Sequence, residues 1–92
     1  MHDETRAFVL TVVRDVINLP LPDRIDDRTP LGDGGLGLES LATIELMLQL
    51  EGEYDIELPE SELDPEVVST LGDLVALVVE RRSRVTAGGA AQ

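Results

Sequence analysis

The sequence contains no cysteine, one histidine and only two aromatic residues, Phe8 and Tyr54. Without cysteine, the chain can form neither disulfides nor thiolate metal sites. His2 is the only imidazole, so neither a histidine-based catalytic triad nor a histidine-rich metal site is expected. We therefore predict no catalytic residues, no metal site and no enzymatic activity. The core must be aliphatic, because hydrophobic residues make up 42% of the chain but aromatic residues only 2%.

Basic residues are also scarce: seven stand against nineteen acidic ones, and the net charge is −12. Such a surface repels nucleic acid backbones and anionic membranes, so neither is expected as a partner. Basic protein surfaces are the natural partners, although the acid could also serve only to keep the domain soluble. No apolar run reaches membrane-spanning length and no basic, then apolar, leader is visible, so we expect a cytoplasmic protein.

Hydrophobic periodicity predicts an all-α fold, a small four-helix bundle with a long loop between helices 1 and 2. Three main helices and one short helix are expected within a single small domain, residues 1–85, followed by a disordered tail, residues 86–92. Pro20 and Pro22 should end the first helix, and Gly52 the second. The predicted main helices are residues 4–19, 40–51 and 69–82, and the short helical turn is residues 59–63.

The predicted second helix has two apolar sides. Leu41, Ile44 and Leu48 share one stripe, because residues three and four apart lie on the same face. The opposite side is formed by Thr43, Leu46, Met47 and Leu50. A second apolar stripe marks either a partner surface or a helix that is buried all round, and the helical wheel alone leaves both open.

Ser40 begins this helix directly after the glycine-rich stretch GDGGLG. It could be a helix N-cap, for which serine is favoured. A catalytic nucleophile is disfavoured, because Leu41 and Ala42 follow where the nucleophile elbow needs glycine, and no internal histidine is present. Covalent modification is the third possibility, since a serine at a helix start is accessible and nearby amides can donate to phosphate oxygens.

The run Gly-Leu-Glu-Ser-Leu at residues 37–41 resembles the Gly-Leu-Asp-Ser-Leu signature of acyl and peptidyl carrier proteins. The resemblance continues through ATIELMLQLEGEYDIELPE and STLGDLV and covers about residues 5–84. In that family the serine carries 4′-phosphopantetheine, which coenzyme A supplies. The resemblance therefore implies that Ser40 is the attachment site. Glu39 replaces the usual aspartate, so we expect slower modification by some phosphopantetheinyl transferases.

The resemblance also assigns the two sides of the second helix. Leu46 and Leu50 should face inward, against Val12, Val13, Leu74 and Val78. Glu51 is a further acid that carriers offer to basic partners. The expected partner-binding residues are Glu39, Leu41, Ile44, Glu45 and Leu48.

The implied function is that of a discrete, monomeric acyl carrier protein that tethers acyl or aminoacyl intermediates as thioesters. Its partners would be a phosphopantetheinyl transferase and an acyltransferase, ketosynthase or adenylating enzyme with a basic docking patch. The glycine-rich loop resembles that of discrete carriers of polyketide or nonribosomal peptide pathways, and we expect polyketide or related secondary-metabolite biosynthesis. The alternatives are a peptidyl carrier of a nonribosomal peptide pathway and an unmodified acidic adaptor with the same fold.

Overall fold

The computed structural model describes residues 2–59, 61, 64 and 66–90, with side chains to Arg84. Within these residues the fold is all-helical, as predicted: α1 is His2–Thr11, α2 is Ser40–Tyr54 and α3 is Leu71–Ala90. A π-helical turn, Val12–Val16, continues α1 and packs against α2, while α1 packs on α3.

The predicted short helix, residues 59–63, falls mostly outside the described residues. The backbone of α3 is helical as far as Ala90. The division into a domain of residues 1–85 and a disordered tail of residues 86–92 stays a prediction.

The core of the described fold is aliphatic and unites residues from all the helices and both long connections. Phe8 and Tyr54 are only partly buried and meet edge to face at its margin, with ring centroids 5.5 Å apart. Each fully buried leucine or valine stabilises the fold by about 2 kcal/mol. The predicted inward-facing residues are all among the buried ones, which are Val9, Val12, Val13, Leu36, Leu38, Leu46, Met47, Leu50, Ile56, Leu58, Val68, Leu71, Leu74, Val75 and Val78.

The first helix ends earlier than the two prolines predict. The N–H of Ile17 donates to the carbonyl of Val12 (2.9 Å), and Asn18 then takes a left-handed conformation with φ 66°. Asparagine tolerates that conformation better than most residues, so the helix stops before Pro20. The wider π turn also rotates Val16 away from the core, and its side chain is 44% exposed.

The predicted end of the second helix at Gly52 is wrong. The helix runs on to Tyr54, and Asp55 ends it in a left-handed conformation (φ 54°), with its N–H donating to the carbonyl of Glu51. Aspartate can replace glycine at such a position because its short polar side chain tolerates it. Gly52 thus lies inside a helix, where glycine costs about 1 kcal/mol relative to alanine.

The last helix begins with a capping box, as the spacing of three residues between Thr70 and Asp73 predicts. The N–H of Asp73 donates to Oγ1 of Thr70 (3.1 Å), while Oδ2 of Asp73 accepts from the N–H groups of Ser69 (3.1 Å) and Thr70 (3.2 Å). This reciprocal arrangement satisfies backbone donors that the first helical turn leaves unpaired.

Arg82 lies inside α3 and contacts residues of α1 and α2. Its Nη1 donates to Oγ1 of the fully buried Thr5 (2.9 Å), and its Nη2 donates to Oε1 of Glu4 (2.9 Å). The guanidinium carbon lies 4.0 Å from the centroid of the Tyr54 ring. This cation–π contact adds about 1 kcal/mol, so one side chain connects α1, α2 and α3.

The long connection, residues 17–39, is attached to the start of α3 by its backbone. The N–H of Leu31 donates to the carbonyl of Ser69 (3.0 Å), and the N–H of Leu71 donates to the carbonyl of Thr29 (2.8 Å). A third bond runs from the N–H of Gly72 to the carbonyl of Asp27 (2.9 Å). The loop therefore supplies acceptors to the first amides of α3, which have no partner within that helix.

We predict that Asp73→Asn destabilises the protein at neutral pH but much less in acid. The backbone N–H groups of Ser69 and Thr70 hold the pKa of the Asp73 carboxyl below its usual value. Because the folded pKa is the lower one, the charged carboxylate stabilises the fold above the unfolded pKa, about 3.9. That contribution is lost as the pH falls through the folded pKa.

Thermal unfolding of Asp73→Asn and the wild type, measured from pH 7 down to pH 3, checks this. The difference in Tm between the two proteins should begin to shrink below about pH 4 and should keep shrinking as the pH falls further. Asp33→Asn, which removes the same charge from an exposed loop position, is the control. A difference for Asp73→Asn that stays constant with pH would contradict the prediction.

Candidate functional site

The segment before Ser40 is a compact turn held by its own backbone. The N–H of Leu36 donates to the carbonyl of Pro30 (2.9 Å), and the N–H of Leu38 donates to the carbonyl of Leu31 (2.8 Å). Both Leu36 and Leu38 are buried. Neither is marked by periodicity in the sequence, because the loop has none. Two hydrophobic anchors thus fix the chain immediately before α2.

Gly35 makes this turn possible by its lack of a side chain. A Cβ atom there would lie 2.0 Å from the carbonyl oxygen of Pro30, far inside van der Waals contact. Gly37, two residues on, takes a positive φ of 72°, which costs other residues about 1–2 kcal/mol. Gly35 and Gly37 therefore have specific places in the turn and do not act as flexible linker residues.

Ser40 is the first residue of α2 and is exposed. The N-cap interpretation of Ser40 is wrong: the cap position is Glu39, whose backbone is extended (φ −98°, ψ 178°) and whose side chain makes no capping hydrogen bond. The carbonyl of Glu39 accepts from the N–H of Thr43 (2.8 Å). Glutamate is a poor cap, so the buried leucines before it must set the start of the helix. In the described part of the chain the Ser40 hydroxyl is thus not used as a cap.

The two apolar sides of α2 differ sharply in exposure. Leu41 is 83% exposed, Leu48 58% and Ile44 39%, whereas Leu46 and Leu50 are at most 1% exposed. The interpretation of a helix buried all round is therefore wrong. The stripe of Leu41, Ile44 and Leu48, called here the outer face of α2, contributes exposed apolar surface beside Ser40. Exposed apolar patches are found at interaction sites, and contact of this face with a partner stays a prediction.

The acids near the outer face have different surroundings. Glu39 is exposed and Glu45 is half-buried. Glu51 also has a structural role, because its Oε2 accepts a hydrogen bond from the N–H of Leu58 (2.8 Å) and so holds the connection that follows α2. Contact of Glu51 with a partner stays a prediction.

Two surface clefts lie away from Ser40. One, of about 440 Å³, lies between the start of α1, the long connection and the start of α3, near Asp27 and Asp73. The other, of about 330 Å³, lies between the end of α2 and Arg81 and Arg84 of α3. Among residues 2–59, 61, 64 and 66–90, no group of three or more potential ligand side chains is placed to hold a metal ion. No helix in the same part of the chain is long and apolar enough to cross a membrane.

A profile of the family described as "Phosphopantetheine attachment site" matches residues 7–78. The chain belongs to the phosphopantetheine-binding carrier proteins. An acyl carrier protein of Chlorobium phaeobacteroides is 34% identical over 80 residues, covering 84% of this chain and 99% of the relative. A D-alanyl carrier protein of Lactobacillus acidophilus is 32% identical over 75 residues, covering 82% and 91% respectively. One from Streptococcus sanguinis is 30% identical over 80 residues, covering 87% and 98%.

Membership in this family establishes the general chemistry of the chain. It is a carrier and not an enzyme, and its cofactor is covalently bound 4′-phosphopantetheine. Carriers of this family interact with a phosphopantetheinyl transferase and with biosynthetic enzymes. The resemblance of residues 37–41 to the carrier signature is thus confirmed at the level of the family.

We predict that Gly35→Ala destabilises the protein by about 3 kcal/mol or more, because the added methyl group must displace the Pro30 backbone. Gly32→Ala is the matched control, since a Cβ there would meet only the Leu38 carbonyl oxygen, at 3.8 Å. Chemical denaturation of both variants measures the difference. Equal stabilities for the two variants would show that the turn relaxes around the methyl group.

Proposed function

We propose that this protein is a carrier whose 4′-phosphopantetheine arm is attached to Ser40 and holds acyl or aminoacyl groups as thioesters. The observation that carries the proposal is the position of Ser40, exposed at the first residue of α2 and within the segment that the family profile matches. The arm would supply the thiol that this cysteine-free chain lacks.

The surroundings of Ser40 fit such a group. Modification joins the serine Oγ to the phosphorus of phosphopantetheine, while the hydroxyl proton and the nucleotide portion of coenzyme A depart. The resulting phosphodiester is anionic, and the start of a helix favours negative charge. Because the Ser40 hydroxyl does not cap α2, its modification removes no hydrogen bond on which the helix depends.

We further propose that the outer face of α2, together with Glu39 and Glu45, is the surface that partner enzymes contact. Leu41, Ile44 and Leu48 offer apolar area, and a few residues buried at the centre of an interface give most of its affinity. The acidic residues favour partners with basic patches and speed their encounter. The transferase is one such partner. The others would be an acyltransferase, a ketosynthase or an adenylating enzyme.

We consider two candidates for the cargo. The glycine-rich loop supports the prediction of a polyketide or related secondary-metabolite carrier. The relatives from Lactobacillus acidophilus and Streptococcus sanguinis are D-alanyl carrier proteins, which favours an aminoacyl cargo as the second candidate. A nonribosomal peptidyl carrier would also hold an aminoacyl group. We propose that the carrier works as a monomer in the cytoplasm.

Incubation with coenzyme A and a broad-specificity phosphopantetheinyl transferase should add one phosphopantetheine, detected by mass spectrometry of the intact protein. Ser40→Ala should abolish the adduct, whereas Ser83→Ala, which removes an exposed hydroxyl from α3, should leave it intact. An adduct that survives in Ser40→Ala would refute Ser40 as the site. An unmodified wild type would favour the acidic adaptor.

Leu48→Arg should leave folding unchanged but lower kcat/KM for modification at least about tenfold, as expected for a buried contact at an interface centre. Leu48 is 58% exposed, so the fold tolerates the substitution. Ser83→Arg introduces the same charge on α3 and should have little effect. Circular dichroism checks the fold, and normal modification of folded Leu48→Arg would show that the partner surface lies elsewhere.

A further inference from the structure

Asp33 and Gly34 form the only Asp-Gly pair in the sequence. Every other aspartate is followed by a residue that carries a side chain. A peptide nitrogen that belongs to glycine is less hindered than any other, because no Cβ atom stands beside it. In this chain, the nitrogen of Gly34 therefore reaches the carboxyl carbon of the preceding aspartate more easily than any other nitrogen in the same position.

Both groups are free within the part of the chain that the structure describes. The side chain of Asp33 is exposed and takes part in no hydrogen bond or ion pair there. The N–H of Gly34 donates to no acceptor among the same residues. A Cβ atom built on Gly34, whose φ is 86°, would meet no atom within 4 Å. Asp73, in contrast, is fixed by its capping hydrogen bonds.

We propose that Asp33 is a modification site, at which the peptide bond to Gly34 rearranges spontaneously into an isoaspartyl linkage. In the first step the nitrogen of Gly34 forms a bond to Cγ of Asp33. The Cγ–O bond breaks, and the hydroxyl of the protonated carboxyl group leaves as water together with the amide proton. The product is a cyclic succinimide.

Hydrolysis of the succinimide completes the rearrangement. Water adds to the main-chain carbonyl carbon of Asp33, and the bond from that carbon to the nitrogen of Gly34 breaks. The main chain then runs through Cβ and Cγ of residue 33, and the former main-chain carbonyl becomes a free carboxylate. One water is lost and one is regained, so the mass and the net charge of the protein are unchanged, and no oxidant or reductant is needed.

The modified bond lies inside the compact turn that precedes α2. The carbonyl of Gly32 accepts from the N–H of Gly35 (3.2 Å) and from the N–H of Gly37 (2.9 Å), and both hydrogen bonds span residues 33–34. The isoaspartyl linkage inserts a methylene group into the main chain between the acceptor and both donors. Gly35 cannot shift toward Pro30 to make room, because their backbones are already in close contact. The rearrangement therefore breaks or lengthens these hydrogen bonds and loosens the turn.

The consequence for Ser40 rests on the proposed function. The compact turn fixes the chain directly before Ser40, so a loosened turn presents the hydroxyl to the transferase in many positions instead of one. A misplacement of about 1 Å can lower a reaction rate about a hundredfold. Isoaspartate at residue 33 thus lowers the capacity of the aged protein to accept the phosphopantetheine arm.

The test compares the wild-type chain with Asp33→Glu after several weeks at neutral pH and physiological temperature. Glutamate would have to close a larger ring, which is slower, and position 33 is exposed, so this variant should fold normally and not rearrange. Methylation by an isoaspartyl methyltransferase with S-adenosylmethionine measures isoaspartate, and mass spectrometry of proteolytic fragments locates it. The wild type should accumulate isoaspartate at residue 33.

The rearranged wild-type fraction, separated by chromatography, is then compared with fresh protein. Its Tm should be several degrees lower, because backbone hydrogen bonds of the turn are lost. Its kcat/KM for modification by coenzyme A and a broad-specificity transferase should be at least about fivefold lower. Asp33→Glu, incubated in the same way, should keep the Tm and kcat/KM that it has when fresh.

Asp23→Glu is the matched control, because Asp23 is also exposed in the long connection but is followed by Arg24. This variant should accumulate isoaspartate at residue 33 as the wild type does. A wild type without isoaspartate at residue 33, or with as much of it at residue 23, would overturn the modification site. A rearranged fraction with the Tm and kcat/KM of fresh protein would overturn its effect on the turn.

Failure of this inference and failure of the proposed function give different results. If the fresh wild type acquires no phosphopantetheine, the proposed function fails, while isoaspartate content and Tm still decide whether residue 33 is modified and the turn is loosened. If the fresh wild type is modified normally and residue 33 never rearranges, the carrier function stands and only this inference is refuted.

Discussion

The antiparallel pairing between residues 29–31 and residues 69–71 is the interaction on which the position of Ser40 depends. It attaches the long connection to the start of α3 and places Pro30 against the turn that Gly35 completes. Leu36 and Leu38 can then enter the core directly before α2 begins. A small helical protein without disulfides thus fixes an otherwise irregular segment by sharing the unpaired amides of a helix.

Helix α2 contributes to the fold and to the surface at the same time. Leu46, Met47 and Leu50 complete the core, while the outer face leaves large apolar side chains in contact with solvent. The acids are divided in a similar way, because Glu51 binds the backbone of Leu58 but Glu39 makes no capping hydrogen bond. A carboxylate near a docking surface therefore has to be assigned from its hydrogen bonds, since its position in the sequence does not show which role it has.

Helix α2 could be predicted because its apolar residues repeat at helical spacing. Its start at Ser40 could be predicted from the glycine-rich stretch before it. The cap of α3 could be predicted from Thr70 and Asp73, which are three residues apart. Other features depend on contacts between distant residues: the role of Arg82 requires Thr5 and Tyr54 to be neighbours. The sequence misplaces the ends of α1 and α2, because Asn18 and Asp55 take the left-handed conformation that glycine most often adopts. At these two helix ends, the positions of proline and glycine in the sequence do not show where the backbone leaves the helical conformation.

The carbonyls of Asp27 and Thr29 have a further consequence, because they pair with the first amides of α3. Outward movement of the connection would break these hydrogen bonds, so they hold the segment before Ser40 against the start of α3. In the proposed carrier, movement of the cargo between enzymes would then come from the arm alone. The length of the arm sets the volume that the thiol can search, and thereby its effective concentration at a docked active site. Because the attachment point is held in place, delivery of the cargo depends on where on the protein surface the partner binds.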